Sequence, residues 1–543
     1  MWRLRITVLA TCTVGVVIGA VGLTDEGYAS MDGDMARYLM DGVFFRDFLF
    51  DRPFASISEA FEYIRLYYSR YPALSLGHHP ILLPVLEAPL FALFGISVST
   101  ARLIPLASLL VATVFLQLVV NRRYGRLAAL ATGLLFVTSP MIVRSSRTVM
   151  AEMPALALII AAVYFVYRFC ETERRSALVG AAVTLVLSVY ARPMTVLVTP
   201  ALVAMVLTTL PVSRLLRRDV LLALAAVAAL SVPALAVPLL LSKSNAAGVI
   251  TAANLEMRMA LPTLLQSAVN PQLAWLVVAI AGAAALRGLV RRDSFALVLT
   301  IWVAGVVPAL FFFGGSVYEG PRYTLYWVPA ICALAGSSLA GWRTRLVPTA
   351  IVAVLGVGLF MQIDRSRNHA DYAGGYEEAA QFVLASNPGA TVMFSGDVDT
   401  GYFAFFTRKH DPARRLVVLR ADKILTTSRM SRPSIEDRID RPEQIYDVLQ
   451  RYGTRYVVIE DRPSQSRVLE WLRHELKTSR FVERRRIPLK VTDVRMRGAS
   501  LAVYEFLDAS APAADATLSM RLPVVGQSLD VPLTDLIERK LLR

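Results

Sequence analysis

The sequence predicts a mainly α-helical polytopic membrane protein of about eleven spans, followed by a C-terminal α/β domain outside the membrane. Three observations carry this. The chain is 55% hydrophobic and only 18% charged, with a mean hydropathy of +0.51, far too apolar for a soluble protein of 543 residues. Its arginines fall in short clusters between apolar stretches, the pattern of loops held on the cytoplasmic side. After residue 363 the composition changes to a charged, mixed sequence of soluble type. The net charge of +15 therefore describes membrane topology and excludes a nucleic-acid-binding patch. Cys12 and Cys332 lie inside apolar stretches and Cys170 beside one, with neither metal-ligand spacing nor a disulfide framework.

The first span, 6–23, follows Arg3 and Arg5, so the amino terminus is expected in the cytoplasm; without a convincing cleavage site the span reads as a retained anchor. Residues 24–101 form the first extracytoplasmic loop, with ten acids against five arginines and two amphipathic pieces expected to lie as interfacial helices. The stretch 78–96 is long enough to cross. A crossing there would deliver Arg122, Arg123 and Arg126 to the outer face, and Pro80, Pro84, Pro89 and Glu87 argue for a broken segment. With it left outside, spans at 103–120, 127–143, 150–167, 177–191, 194–210, 220–241, 272–286, 295–313, 323–340 and 346–363 alternate so that basic loops stay cytoplasmic. Residues 1–363 are thus the membrane domain and 364–543 an extracytoplasmic domain. In the latter, helices expected at 376–384, 442–452 and 466–477 alternate with strands at 390–394, 416–419 and 456–459, the pattern of a largely parallel sheet. The run at 396–401 is too weak to read as a phosphate-cradling glycine loop.

Four carboxylates, Asp25, Glu26, Asp32 and Asp34, crowd the outer end of the first span. Charge beside hydrocarbon is costly and is usually kept for chemistry. Asp25 and Glu26, at the boundary, read as functional, whereas Asp32 and Asp34 read as acids ending a helix in water. Three arginines break the positive-inside pattern: Arg147, accompanied by Arg144, then Arg192 and Arg322. Their planar donor forks at headgroup height suit a lipid phosphate. The alternative is local pairing, Arg147 with Glu152 and Arg322 with Glu319. His78 and His79 could bind phosphate or a metal, although no third ligand stands at helical spacing. Glu87 is a candidate partner for one of the arginines. Tyr28, Tyr67, Tyr68 and Tyr71 read as interfacial anchors.

In their order, TDEGY (24–28), GHHPILLPVLEAPLFALFG (77–95), ARL (101–103), the run at 124–140, SRTVMAEMP (146–154), ARP (191–193) and PRYTLYWVPA (321–330) resemble the GT-C superfamily of integral-membrane glycosyltransferases. The resemblance is to the branch of the protein O-mannosyltransferases and the lipid A aminoarabinose transferase, and it covers the membrane portion. It implies transfer of a sugar from a polyprenyl-phosphate donor to a lipid, glycan or protein acceptor at the outer face of a bacterial inner membrane, with inversion. Asp25 would be the base, supported by Glu26. Arg147, Arg192, Arg322, His78 and His79 would hold the donor phosphate, with Glu87 and Glu152 in support. HHP stands where many relatives carry a second proline or a lysine. Some relatives bind a divalent cation nearby; no ligands for one are assignable from this sequence. A transporter or lipid flippase is the competing reading, against which stand the lack of paired repeats with glycine-broken helices and of a row of midplane carboxylates. A membrane-anchored sensor would leave the external arginines unexplained.

Overall fold

The computed structural model describes residues 2–27, 33–241, 273–313, 324–342, 346–367, 372–386, 391–396, 400–426, 437–464, 466–492, 496–522 and 527–538. Tyr28, Asp32, Glu319 and Arg322 lie outside the described residues.

The membrane domain is a helix bundle: α1 (Trp2–Gly19), α2 (Asp34–Asp51), α3 (Ile57–Arg70), α4 (Leu82–Phe94), α5 (Val98–Tyr124), α6 (Arg126–Thr138), α7 (Pro140–Arg147), α8 (Glu152–Thr172), α9 (Arg175–Ala191), α10 (Thr199–Thr209), α11 (Arg218–Leu241), α12 (Trp275–Val290), α13 (Ser294–Phe313), α14 (Val328–Ser337) and α15 (Leu346–Arg367). Among the described residues four helices are long and apolar enough to cross a membrane, or five if α6 and α7 count as one. Apart from the charged, amphipathic α2 and α3, the others are shorter apolar helices, and every one of the eleven expected stretches coincides with a described apolar helix. The protein is an integral membrane protein. The stretch expected at 127–143 is broken, α6 and α7 meeting at 60°. Ser139 ends the first helix in an extended conformation and Pro140 opens the second, since proline has no N–H to give to the preceding turn. The disputed piece at 78–96 contains α4, 13 residues and so about 20 Å long, short of the ~30 Å hydrocarbon core.

Close packing of α6 on α14 depends on Gly336, where a Cβ would stand 2.6 Å from the Ala128 carbonyl oxygen. A buried amide ties three helices together: Gln117 Nε2 on α5 donates to Thr11 Oγ1 on α1 (2.9 Å) and to the Ala129 carbonyl on α6 (3.2 Å). At the far end of the bundle the basic loops are cross-linked by ion pairs, Arg122 with Glu171 (3.0 Å), Arg123 with Asp293 (2.8 Å) and Arg217 with Glu173 (2.7 Å).

Beyond α15 come β1 (Ala373–Gly374), α16 (Tyr376–Ser386), β2 (Thr391–Ser395), α17 (Thr400–His410), β3 (Val417–Arg420), α18 (Gln444–Arg451), β4 (Thr454–Glu460), α19 (Arg467–Glu475), β5 (Phe481–Pro488), β6 (Lys490–Val491), β7 (Ser500–Phe506), β8 (Thr517–Leu522) and β9 (Gln527–Pro532). The main sheet has the order β3-β2-β4-β7-β5. Pairings β2–β3 and β2–β4 are parallel, but β4–β7 and β5–β7 are antiparallel, so the sheet is mixed rather than largely parallel.

The first loop and this domain share one apolar core. Met35, Leu39 and Val43 on α2 and Tyr63, Tyr67 and Tyr71 from α3 and its C-cap are fully buried in a cluster with Tyr376, Phe394, Phe403 and Phe405. Tyr67 and Tyr71 are therefore core residues, not headgroup anchors. These faces are covered by apolar side chains of the C-terminal domain. The opposite faces, with Phe50, Phe54, Ile57 and Phe61, remain exposed, as interfacial helices require.

Candidate active site

The site is built where α1 runs out. The last turns of a helix leave carbonyls with spare accepting capacity, and here two arginines from other helices use it, beside the Val21 amide on Ile18 (3.4 Å) and the Asp25 amide on Gly22 (3.1 Å). Arg102, in the first turns of α5 and fully buried, donates to the carbonyls of Val21 (3.0 Å) and Gly22. Arg147, at the end of α7, donates from Nε and Nη2 to the Ile18 carbonyl (3.1 and 2.8 Å). A helix C-terminus carries partial negative charge, so this arrangement is electrostatically favourable and fixes the backbone a few residues before Asp25.

Asp25 and Glu26 are adjacent in sequence and opposite in situation. Glu26 is a helix cap: its carboxylate accepts from the Val98 amide (2.9 Å), the Ser99 amide (3.2 Å) and the Ser99 hydroxyl (2.6 Å) at the start of α5, and pairs with Lys409 Nζ at 2.9 Å. Burial pushes its pKa up, but the Ser99 and Lys409 hydrogen bonds, the Lys409 charge and the Val98 amide together hold it below the ordinary value. A carboxylate so fully engaged has little capacity to take a proton. Asp25 is exposed; its Oδ1 accepts from the Gly27 amide (2.9 Å) and the Tyr372 hydroxyl (3.1 Å), leaving Oδ2 with no hydrogen bond among the described residues. It opens on a cavity of about 700 Å³ between residues 24–27 and the C-terminal domain, walled by Glu377, Glu378, Gln381, Phe406 and Lys490.

Of the other expected residues, Arg192 and Glu152 form a buried ion pair at 2.7 Å that joins the end of α9 to the start of α8. Glu152 thus has Arg192 as an ion-pair partner. These two and Arg147 lie at the same end of the bundle as Asp25, through contacts with the ends of α1, α8 and α9. His79 accepts or donates at Ser75 Oγ (3.0 Å), faces Asp34 (3.3 Å) and stacks on Tyr38. Burial, His79 and Arg37 push His78 down to about 4, so it is neutral at physiological pH and offers phosphate no fixed charge. Glu87 pairs with no arginine. It is fully buried with both oxygens lacking a hydrogen-bond partner among the described residues, because α4 turns it inward onto α2, against Gly42. Burial and the neighbouring Asp41 push its pKa well up, and Asp41 itself is pushed up to about 7, chiefly by burial. Among the described residues no group of three or more His, Cys, Asp and Glu could hold a metal ion.

Sequence reasoning did not find Lys409, Tyr372 or the capping role of Arg102. Arg102 left a signal, a lone charge opening the apolar run of α5 in the ARL motif. Lys409 and Tyr372 left none, being more than 340 residues from the acids they touch.

Residues 78–237 match the family Dolichyl-phosphate-mannose-protein mannosyltransferase. No curated protein matches the sequence. Among solved structures, ArnT from Cupriavidus metallidurans bound to undecaprenyl phosphate is similar at a TM-score of 0.58 and 15% identity, over 93% of this chain and 99% of that one. The oligosaccharyltransferase of Archaeoglobus fulgidus, solved in complex with Zn and sulfate, is similar at 0.52 and 13% identity, over 84% and 68%. The same protein tethered to an acceptor peptide containing the NVT sequon matches at 0.52 and 11%, over 83% and 69%. With nearly its whole length superposed on ArnT, the chain has the fold of the GT-C superfamily of integral-membrane glycosyltransferases.

Proposed function

We propose that this protein transfers a sugar from a polyprenyl-phosphate donor to a hydroxyl group of a cell-envelope acceptor, at the extracytoplasmic face of a bacterial inner membrane, with inversion at the anomeric carbon. The observation that carries this reading is the exposed carboxylate of Asp25, which lines a cavity and keeps Oδ2 without a hydrogen bond among the described residues; Arg147 and Arg192 stand at the same end of the bundle, outside that lining. Asp25 Oδ2 takes the acceptor's proton as the acceptor oxygen bonds to the anomeric carbon. The bond from that carbon to the phosphate oxygen breaks, and the lipid phosphate leaves with the electron pair, stabilised by fixed cations at that depth. Inversion follows from a single displacement. Arg147, Arg192 and Arg322 are the proposed phosphate contacts, with His78, as a neutral group, and His79 as hydrogen-bonding neighbours. Glu26 holds the base in place, and Glu152 orients Arg192. The family match to a polyprenyl-phosphate-dependent mannosyltransferase and the undecaprenyl phosphate bound by ArnT support the donor class over a transporter or flippase. A divalent cation beside the donor phosphate stays open in this reading, and chelation with EDTA tests it: transfer is lost if one is required and unchanged if not.

The test is transfer by purified protein from polyprenyl-phosphate sugars to cell-envelope acceptors. Asp25→Asn keeps shape and polarity but cannot take the proton, so turnover falls by roughly 100-fold or more while donor binding survives. Normal transfer by this variant would return the transporter reading to first place.

A further inference from the structure

Resting on that reading, we infer that Tyr372 and Lys409 of the C-terminal domain are positioning residues for the catalytic carboxylate, so that the domain completes the active site rather than merely standing over it. The domain grips three consecutive residues of the membrane domain. Tyr372 Oη donates to Asp25 Oδ1 at 3.1 Å. Lys409 Nζ bridges Glu26 Oε2 (2.9 Å) and Glu377 Oε1 (2.8 Å). The Ala373 amide donates to the Gly27 carbonyl at 2.8 Å, next to the short pairing of β1 with β6.

Each contact has a distinct consequence. By occupying Oδ1 together with the Gly27 amide, Tyr372 fixes the plane of the Asp25 carboxylate and leaves only Oδ2 for the acceptor. Lys409 neutralises Glu26, the nearest like charge to Asp25 along the chain, and burial alone would lower the ammonium's pKa. Its hydrogen bonds and charge pairing with Glu377 and Glu26 reverse that, keeping Lys409 charged. Gly27 permits the contact, since a Cβ there would overlap the Tyr372 ring. The lysine is held in turn by its neighbours in the last turn of α17: Arg408 binds Asp47 on α2 through two hydrogen bonds (2.8 and 2.9 Å), and His410 meets Glu377 (2.7 Å).

The experiment uses the full-length protein in the transfer assay, with Asp25→Asn as reference. Tyr372→Phe, which removes one oxygen, and Lys409→Met should each lower kcat by roughly 10–100-fold with the donor KM unchanged, because the loss is of orientation at a charged hydrogen-bonding group and not of donor contacts. Lys409→Arg should retain most of the activity. Glu26→Gln combined with Lys409→Met should recover part of the Lys409→Met loss, since it removes the uncompensated charge. Wild-type kcat in both Tyr372→Phe and Lys409→Met, with Asp25→Asn inactive, would overturn the inference and leave the function standing. Normal transfer by Asp25→Asn would overturn both.

Discussion

The two ends of the helix bundle are both rich in arginine and use it differently. At the end away from Asp25, Arg122, Arg123, Arg214 and Arg217 pair with acids that keep a fifth or more of their surface in water. Pairs so open to water and salt contribute little to stability, and their common feature is where they stand, not what they hold. At the Asp25 end, Arg102, Arg147 and Arg192 are at least nine-tenths buried and each holds a particular group, a helix-end carbonyl or a buried carboxylate. Arginine at the first end forms water-exposed pairs; at the second it is part of the construction. The division extends into the C-terminal domain, where Arg408 and Arg414 converge on the fully buried Asp47.

The largest break in this comparison should come from Arg408→Ala. It leaves Asp47 buried beside Tyr67 with its main charge partner gone, and removing one member of a buried pair costs about 3–5 kcal/mol. Unfolding by heat or denaturant in detergent should register that loss. Burial would raise Asp47, but Arg408, Arg414 and Tyr67 hold it below its ordinary value. Its stabilisation is therefore present above the ordinary aspartate pKa and lost as pH falls through the folded one, so the wild type, unlike the variant, should loosen further in acid. A smaller effect of opposite sign is expected from Glu87→Gln. Burial raises the Glu87 pKa, so its neutral form favours folding most at low pH, and that contribution declines as pH rises from the ordinary glutamate value, about 4.3, through the folded one. The variant should match the wild type in acid and exceed it at pH 8, with a flatter stability profile between; a destabilised variant at pH 8 would mean that Glu87 has an ionic partner after all. The smallest effect is expected from Arg123→Ala, within about 1 kcal/mol in unfolding and without change in transfer rate. A large loss there would erase the distinction between the two ends.

Hydropathy and arginine placement made the membrane domain legible, because lipid imposes a rule that single residues obey. The break at Ser139-Pro140 was equally written in the sequence, yet the apolar run continued through it and concealed the bend. In the C-terminal domain the parallel strands stood out as short apolar runs, whereas β5, with its sequence FVERRRIP, is charged along its exposed face and showed no such signature. The helix Thr400–His410 was missed beside the glycine-rich run that precedes it. The place of Asp25 at the end of the first apolar helix was readable in the sequence. The difference between its contacts and those of Glu26 was not, since the cap on Val98 and Ser99 and the bridge to Lys409 depend on chain returning from 72 and 383 residues away. Charge alone makes Glu87 a candidate partner for an arginine, whereas the inward turn of α4 sets it against Gly42 with no hydrogen-bond partner among the described residues.

The tripeptide Arg408-Lys409-His410 also sets a schedule. Glu26 enters the membrane early in synthesis, and at about 5–20 residues per second Lys409 follows roughly 20–80 s later. Over that interval the nascent enzyme has its anchor and its acids but not the clamp that arranges them. On the proposed function, a chain whose last third misfolds lacks those contacts to Asp25 and Glu26 and should transfer sugar more slowly than a finished one.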